Sequence, residues 1–439
     1  MRKLGFIVWI TVCWVVQHAN AQDSSRWTLE ECIAYAKQHN ISINTLRLTR
    51  ASSNEDVLQA RAARIPSLAG SASQSFTNSK NADPVIGGFQ TQSSWAGNYG
   101  VNTSVTLFNA GYLQNSYKEK KLLLQSADLN ILQTENDITL QLTQAFLQAL
   151  LTRENIVYLQ DVLETSNAQL TQAKQRYDAG SIAKKDYLTF EAQVAADEYN
   201  LVAAKNTYRN NLLTIQQLLQ IPMESDFDIL VEDKVEIPVD APPLDTAINV
   251  AMRTRPEVQN SQLAIEIAKI QIRMARAGHY PTVSLGGTLS TGYTDNTTEA
   301  YFNQLNNNFY QRASLTVGIP IFSNRTVRTA ENKAKINLSQ SNLNLLNTRT
   351  LLTQAIEQAY IGLLNAESQY SAAQKQVTST EEAYRIVQAQ LRLGGANLVE
   401  LLQQKNLYIQ SMQAFLQAKY ANILQRKIYD YYMGIAVTL

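Results

Sequence analysis

The chain is one unit written twice, and this duplication restricts its possible folds more than any other feature. Ala62-Ala63-Arg64-Ile65-Pro66-Ser67-Leu68 matches Ala277-Gly278-His279-Tyr280-Pro281-Thr282-Val283 at an offset of 215, which also sets Leu29, Ile33 and Ala36 on Leu244, Ile248 and Ala251. After the loss of one residue, an offset of 214 pairs Leu107-Phe108-Asn109 with Ile321-Phe322-Ser323, Ala145-Phe146-Leu147 with Ala359-Tyr360-Ile361, Gly180 with Gly394, Asp186 with Glu400 and Ile221 with Ile435. Self-similarity at a fixed period marks a repeated supersecondary unit. The expected organisation is a first repeat over 22–221, a connector over 222–243, a second repeat over 244–435 and a tail over 436–439. The connector carries Pro222, Pro238, Pro242 and Pro243 among Glu224, Asp226, Asp228, Glu232, Asp233, Glu236 and Asp240. Such a stretch reads as acidic and irregular.

Both repeats follow one internal order. A helix over Leu29–Ile65, or Leu244–Tyr280, ends where Pro66 or Pro281 disfavours helical geometry in the residue before it. A β-hairpin follows, over 67–108 and 282–322. From Trp95 the odd positions read Trp, Gly, Tyr, Val, Thr, Val, Leu and the even ones Ala, Asn, Gly, Asn, Ser, Thr, a period of two with one apolar and one polar face. In the second repeat Ala313, Leu315, Val317, Ile319 and Ile321 alternate with Ser314, Thr316 and Gly318. The runs Ser67–Asn78 and Val283–Thr294 alternate more weakly, and Ser79–Ser94 and Asp295–Asn308 read as exposed loops. Long helical hairpins then occupy 111–220 and 325–433.

The first arms of these hairpins, Gly111–Tyr177 and Arg325–Leu391, contain no proline. At ~1.5 Å per residue each would reach roughly 100 Å. Tyr117, Leu124, Ile131, Ile138 and Ala145, then Leu142, Ala149, Ile156, Leu163, Leu170 and Tyr177, recur every seven residues, and Leu338, Leu345, Leu352 and Ala359 repeat the pattern. A seven-residue apolar repeat implies left-handed supercoiling against neighbouring helices. Gly180 and Gly394 stop the pattern as helix C-caps, so each marks a turn at the far end of a hairpin before Lys184–Gln220 or Leu398–Met433 runs back.

The first 21 residues read as an export signal. Arg2 and Lys3 precede an apolar core over Leu4–Val16 and a small-x-small site at Ala19-Asn20-Ala21. Cys13 lies in this leader and Val12 precedes it, which disfavours a lipid-attachment site. Cys32 would then be the only thiol, so no disulfide and no cysteine metal site is expected within one chain, and Cys32 reads as a buried small hydrophobe. Without Arg2 and Lys3, 38 basic against 37 acidic residues become 36 against 37, a balance that gives no sign of nucleic-acid binding. His39 and His279 lack metal-ligand spacing, and there is no Gly-rich phosphate loop, G-x-S-x-G elbow or H-E-x-x-H. No enzyme activity and no cofactor is expected. No stretch reaches the ~20 apolar residues of a spanning helix, so any membrane role falls to strands.

Strands with one apolar face can sit in lipid only if every backbone group is paired, which an open sheet edge forbids. Four strands cannot close, since the smallest membrane barrels have about eight. The chain therefore forms an ordinary soluble sheet or pools strands with other copies. The duplicated order of helix, hairpin, long helix, Gly turn and returning helix resembles the TolC-type outer membrane efflux protein family. The strongest matches are Trp27-Thr28-Leu29-Glu30-Glu31-Cys32-Ile33-Ala34-Tyr35-Ala36 and Arg176-Tyr177-Asp178-Ala179-Gly180-Ser181-Ile182 followed by Asp186. The resemblance implies a mainly α fold with a β-barrel portion. Three chains would form a twelve-stranded outer-membrane barrel joined to a long periplasmic α-helical barrel. It implies a non-enzymatic exit duct in a Gram-negative outer membrane, working with a periplasmic adaptor and a proton-driven or ATP-driven inner-membrane pump.

The resemblance also assigns sites. Gly180, Ser181 and Ile182, with Gly394, Gly395 and Ala396, become the periplasmic tips where the adaptor docks, and Asp186 and Glu400 become pore or gate carboxylates. A second acidic position of the family is Thr189 or Gln403 here, an aromatic before the second turn is Leu391, and a basic residue after it is Ala396. The latch of the gate therefore falls to other groups, with Arg176, Lys185 and Arg392 as candidates. A periplasmic coiled-coil adaptor or scaffold would share the heptads and the leader, but it has no use for two membrane-type hairpins. Efflux and secretion ducts are not separated by these residues.

Overall fold

The computed structural model describes residues 26–82, 87–230 and 242–435. The leader, the middle of the connector and the 436–439 tail lie outside the described residues. The first repeat runs β1 (Arg26–Trp27), α1 (Leu29–His39), α2 (Ile41–Ala62), β2 (Ser67–Ala82), β3 (Phe89–Phe108), α3 (Tyr112–Asp178) and α4 (Lys184–Leu219). After β4 (Asp228–Ile229) the second runs α5 (Leu244–Thr254), α6 (Pro256–Ala277), β5 (Thr282–Thr294), α7 (Tyr301–Asn307), β6 (Tyr310–Gly318), α8 (Thr326–Leu393) and α9 (Leu398–Tyr432).

The structure departs from the sequence reading at five points, most of them with a local cause. The helix expected over Leu29–Ile65 breaks at Asn40, whose side chain caps the Ser42 and Ile43 amides and donates to the Leu218 carbonyl. Its counterpart over Leu244–Tyr280 breaks at Arg255 because Pro256 takes the first helical position and bars its predecessor from helical geometry. The first hairpin extends its strands to Ala82 and back to Phe89, well into the expected loop, because ladder pairs such as Ser79 with Gln92 satisfy the backbone whatever the side chains. In the second hairpin the expected loop Asp295–Asn308 contains α7, and β6 stops at Gly318 rather than Phe322, since Pro320 has no amide to donate.

The two hairpins form one antiparallel sheet in the order β2-β3-β5-β6. Register sorts its side chains into two faces. One carries Gly70, Val101 and Leu289 in a row, Val105, Leu285 and Leu315 in another, and Phe76 paired with Trp95. The other carries Ser67, Ser104, Gly286 and Ser314, then Ala69, Asn102, Thr288 and Arg312. Polar side chains bond across that face, as in Thr288 Oγ1 to Asn102 Oδ1 at 3.0 Å. Many apolar members of the first face are exposed, among them Leu68, Phe76, Trp95, Val101, Leu285 and Leu315. Tyr293 lies across Gly97 so closely that a Cβ there would meet its ring at 2.4 Å.

Below the sheet, α2 packs on α3, α3 on α6 and α6 on α8, the same succession of neighbours as the strands. The largest core gathers Leu29, Cys32 and Ile33 of α1, Phe146 and Leu150 of α3, Ile215 of α4, Ile229 of β4 and Ile423 of α9. A second core joins Ala247 and Ala251 of α5 to Ile356 and Leu363 of α8 and Tyr429 of α9. Further out, α3 with α4 and α8 with α9 form the two long hairpins. Among the described residues no helix is long and apolar enough to cross a membrane.

Candidate functional site

At the free ends of the long hairpins both turns rest on a left-handed glycine, with φ of 71° at Gly180 and 81° at Gly394. A side chain at either position would strain the backbone, whereas glycine adopts it freely. The Ser181 amide donates to the Arg176 carbonyl and the Gly395 amide to the Gln390 carbonyl, each at 2.8 Å, closing the last turn in the same way twice. Tyr177 and Tyr187 stack with centroids 5.6 Å apart and hold the first turn closed. In the second turn Asn397 caps α9 by accepting the Glu400 amide at 2.9 Å.

Asp186 and Glu400 occupy the first turns of α4 and α9. The partial positive charge of a helix N-terminus favours an acid there, which accounts for a carboxylate at both positions without reference to a pore. The two are not brought together. Asp186 is half-buried and lines a groove of 540 Å³ between the hairpin ends, facing Arg176, Gln172, Phe190, Gln388 and Arg392, whereas Glu400 is exposed and does not line it. Of the latch candidates, Arg176 and Arg392 flank this groove and Lys185 does not. Among the described residues no cluster of His, Cys, Asp and Glu could hold a metal ion.

Directly beside the groove, next to Thr165 of α3 and one turn beyond Leu401 of α9, lies a polar centre that the sequence reading did not single out. The Lys405 ammonium of α9 donates to Asp197 Oδ2 of α4 at 2.8 Å and to Ser166 Oγ of α3. Ser166 donates to the same carboxylate at 2.5 Å, and Gln193 Nε2 donates to its other oxygen at 2.9 Å. The lysine and aspartate side chains are 3% and 2% exposed, so the ion pair is withdrawn from water and depends on this full set of partners. Tyr158, Tyr384 and Tyr408 pack beside it, Tyr408 stacking on Tyr384 and meeting Tyr158 edge-on. Farther from the tips, Lys419 of α9 binds both oxygens of Glu154 of α3 at 2.8 and 2.9 Å. The usable signal for this centre was the repeat itself, since the offset of 214 sets Lys405 on Glu191 and Asp197 on Ser411, a change of charge at matched positions.

Comparison with known proteins identifies the fold and the family. The outer membrane protein TolC of Salmonella enteritidis is 22% identical over 412 residues, covering 91% of this chain and 80% of the relative. The proteases secretion protein PrtF of Dickeya chrysanthemi is 21% identical, covering 67% of this chain and 63% of its own length. Among solved structures, the outer membrane protein VceC of Vibrio cholerae superposes with a TM-score of 0.77 at 15% identity, covering 93% of this chain and 96% of that one. The Campylobacter jejuni CmeC outer membrane channel superposes with a TM-score of 0.78 at 16% identity, covering 92% and 85%. The family model described as outer membrane efflux protein matches residues 32–219 and 247–426, nearly the whole of both repeats, and the chain belongs to that family.

Proposed function

We propose that the protein is the outer-membrane exit duct of a tripartite efflux or secretion system, a passive conduit built from three copies of the chain. The observation that carries this reading is the four-stranded sheet. One face is apolar and bare, the other is lined by Ser, Thr and Asn, and among the described residues no strand pairs with the outer edge of β2 or of β6. In water such a face is a liability, and in lipid such edges are untenable unless another chain pairs with them. Joining β6 of one copy to β2 of the next removes every edge, sets the apolar face outward and encloses the polar face as a water-filled lumen. A coiled-coil adaptor gives this sheet no role.

The long hairpins extend the same ring as a helical tunnel of roughly 100 Å, the length that ~67 residues of helix span. Relatives named for protease secretion and for efflux point to an inner-membrane transporter and a periplasmic adaptor as working partners. We assign adaptor docking to the surface around Gly180, Ser181, Ile182, Gly394, Gly395 and Ala396, the short turns at the far ends, and the narrow end of the conduit to Asp186 and Glu400. Mass measurement of the detergent-solubilised protein tests the assembly. A homotrimer is expected, and a stable folded monomer would overturn the reading.

A further inference from the structure

The strands of the four-stranded sheet hold almost no charge. Over β2, β3, β5 and β6 the charged side chains are Lys80 and Arg312, and neither Asp nor Glu occurs in any of these strands. Lys80 shares the face of Leu68 and Phe76, close to the first loop, where β2 and β3 have run past the other two strands. Arg312 stands on the opposite face. It pairs with Thr288 of β5, and its row continues through Asn102 of β3 to Ala69 of β2. The rows on either side bring Ser290 and Ser314, so this cation is set in a neutral, hydroxyl-rich wall.

The fold itself does not call for a cation there. At the offset of 214 Arg312 falls on Asn98, a neutral residue on the same face of β3, so the repeated strand is built without the charge. Arg312 is exposed, and among the described residues no carboxylate pairs with it. Its guanidinium carbon lies 5.8 Å from the centre of the Tyr310 ring, two residues away on the same face and itself exposed. That contact holds the group along the wall and leaves its N–H donors free for a ligand. On the lipid side of a membrane strand such a charge is destabilising, whereas on the lumen side it sets selectivity.

We propose that in the ring of three copies the Arg312 side chains form a belt of cations inside the barrel, which binds carboxylate or phosphate groups of passing solutes and favours anionic cargo. The inference rests on the ring assembly proposed above and deepens it by giving the cargo a charge. Closing the ring brings β2 of the next copy beside β6, and β2 has no acid with which to neutralise the belt. Like charges around one low-dielectric wall add their potentials and concentrate counter-ions, the arrangement by which arginine rings select anions in pores. The planar guanidinium also offers a fork of donors that matches a carboxylate or a phosphate. Asp186 and Glu400, assigned above to the far end of the conduit, carry the opposite sign. The duct then holds two filters in series, and the outer one is set by a single residue of β6.

Planar-bilayer recordings of the full-length, detergent-purified trimer test this, with tripolyphosphate as the probe anion added to each side in turn. The parent should be blocked from the side of the hairpin loops. Arg312→Gln should raise the tripolyphosphate concentration for half-block by about tenfold or more, and Arg312→Lys, which keeps the charge, should retain most of the block. In a potassium chloride gradient Arg312→Gln should move the reversal potential towards cation selectivity, and Arg312→Glu should move it further the same way. The same shifts should persist in the Asp186→Asn, Glu400→Gln background, which reads the belt apart from the carboxylates. Lys80→Gln, on the other face of the sheet, should change neither block nor reversal potential. If it weakens the block as much as Arg312→Gln does, the effect is one of general charge at the mouth and the belt is overturned. An intact trimer whose block and reversal potential are the same in the parent, Arg312→Gln and Arg312→Glu would overturn the belt and leave the duct standing. A folded monomer in the parent would overturn the ring and the belt together.

Discussion

Asp186 and Glu400 begin helices, and the helix dipole alone explains an acid there, so only a measurement on the conduit distinguishes that role from lining a pore. A ring of carboxylates at a constriction attracts cations. Asp186→Asn with Glu400→Gln is expected to reduce cation selectivity and block by multivalent cations in planar-bilayer recordings, at unchanged trimer yield. The Lys405–Asp197 centre has the opposite character, being wholly buried. Lys405→Met leaves a carboxylate without its cation and should cost about 3–5 kcal/mol, while Lys405→Met with Asp197→Leu should recover much of that loss, as thermal unfolding would show. Cys32 is fully buried, and burial, then Glu31 and Glu30, push its thiol up to about 12, so it should stay inert to maleimide until the protein is denatured. The residues legible in the sequence were those with a local signature, such as a turn glycine or an acid at a fixed distance from it. The buried centre was not legible in this way, because its partners lie up to 239 residues apart and its charges become hydroxyls or reverse sign between the repeats.

At the scale of elements, heptad periodicity and prolines outlined the long helices and the repeat order, whereas the interruptions escaped because each depends on one residue in an otherwise helical pattern. Asn40 illustrates this. It looks like an ordinary polar position, yet its side chain caps α2 and reaches the Leu218 carbonyl at the end of α4, tying the break to the neighbouring hairpin. Asn40→Ala removes both contacts and should lower stability by about 1–2 kcal/mol, measured as a reduced unfolding midpoint. An Asn40→Asp variant keeps the cap but loses the donor to Leu218, and should fall between the two. In the hairpins the alternation marked which residues share a face, but strand length did not follow from it, since the ladder pairs Thr77 with Ser94 and Asn78 with Ser93 through the backbone, which side-chain alternation does not report. The short α7 was hidden for a related reason, because Gln304, buried among polar partners, accepts the Thr294 amide at 2.8 Å and donates to the Glu299 carbonyl at 2.7 Å, contacts that give no apolar stripe.

The whole molecule has two unlike ends, and this polarity makes a prediction about cells. The helices α2, α3, α6 and α8 all join the sheet at one end, through Ile65-Pro66, Asn109-Ala110-Gly111, Tyr280-Pro281 and Phe322-Ser323-Asn324, while both hairpin loops, the second with its short α7, lie at the other. Aromatic side chains gather towards the loop end, where Phe76 packs on Trp95 at 5.1 Å and Tyr293 meets Tyr301 at 4.7 Å, as rings do where a membrane barrel passes from hydrocarbon to headgroups. The nine residues of β6 fall at the lower end of the ~9–11 that a tilted strand needs to cross an outer membrane. On the duct reading proposed above, a helical tunnel of roughly 100 Å cannot stand outside the cell and still receive substrate from an inner-membrane transporter, so the helices are expected to face the periplasm and the loops outward. An epitope inserted between Gly87 and Gly88, or after Asn307, should therefore be bound by antibody on intact cells. The same epitope at Ser181 should be reached only after the outer membrane is opened. Labelling of Ser181 on intact cells, with the loop sites silent until permeabilisation, would require the opposite orientation and would leave the tips with no access to a periplasmic adaptor.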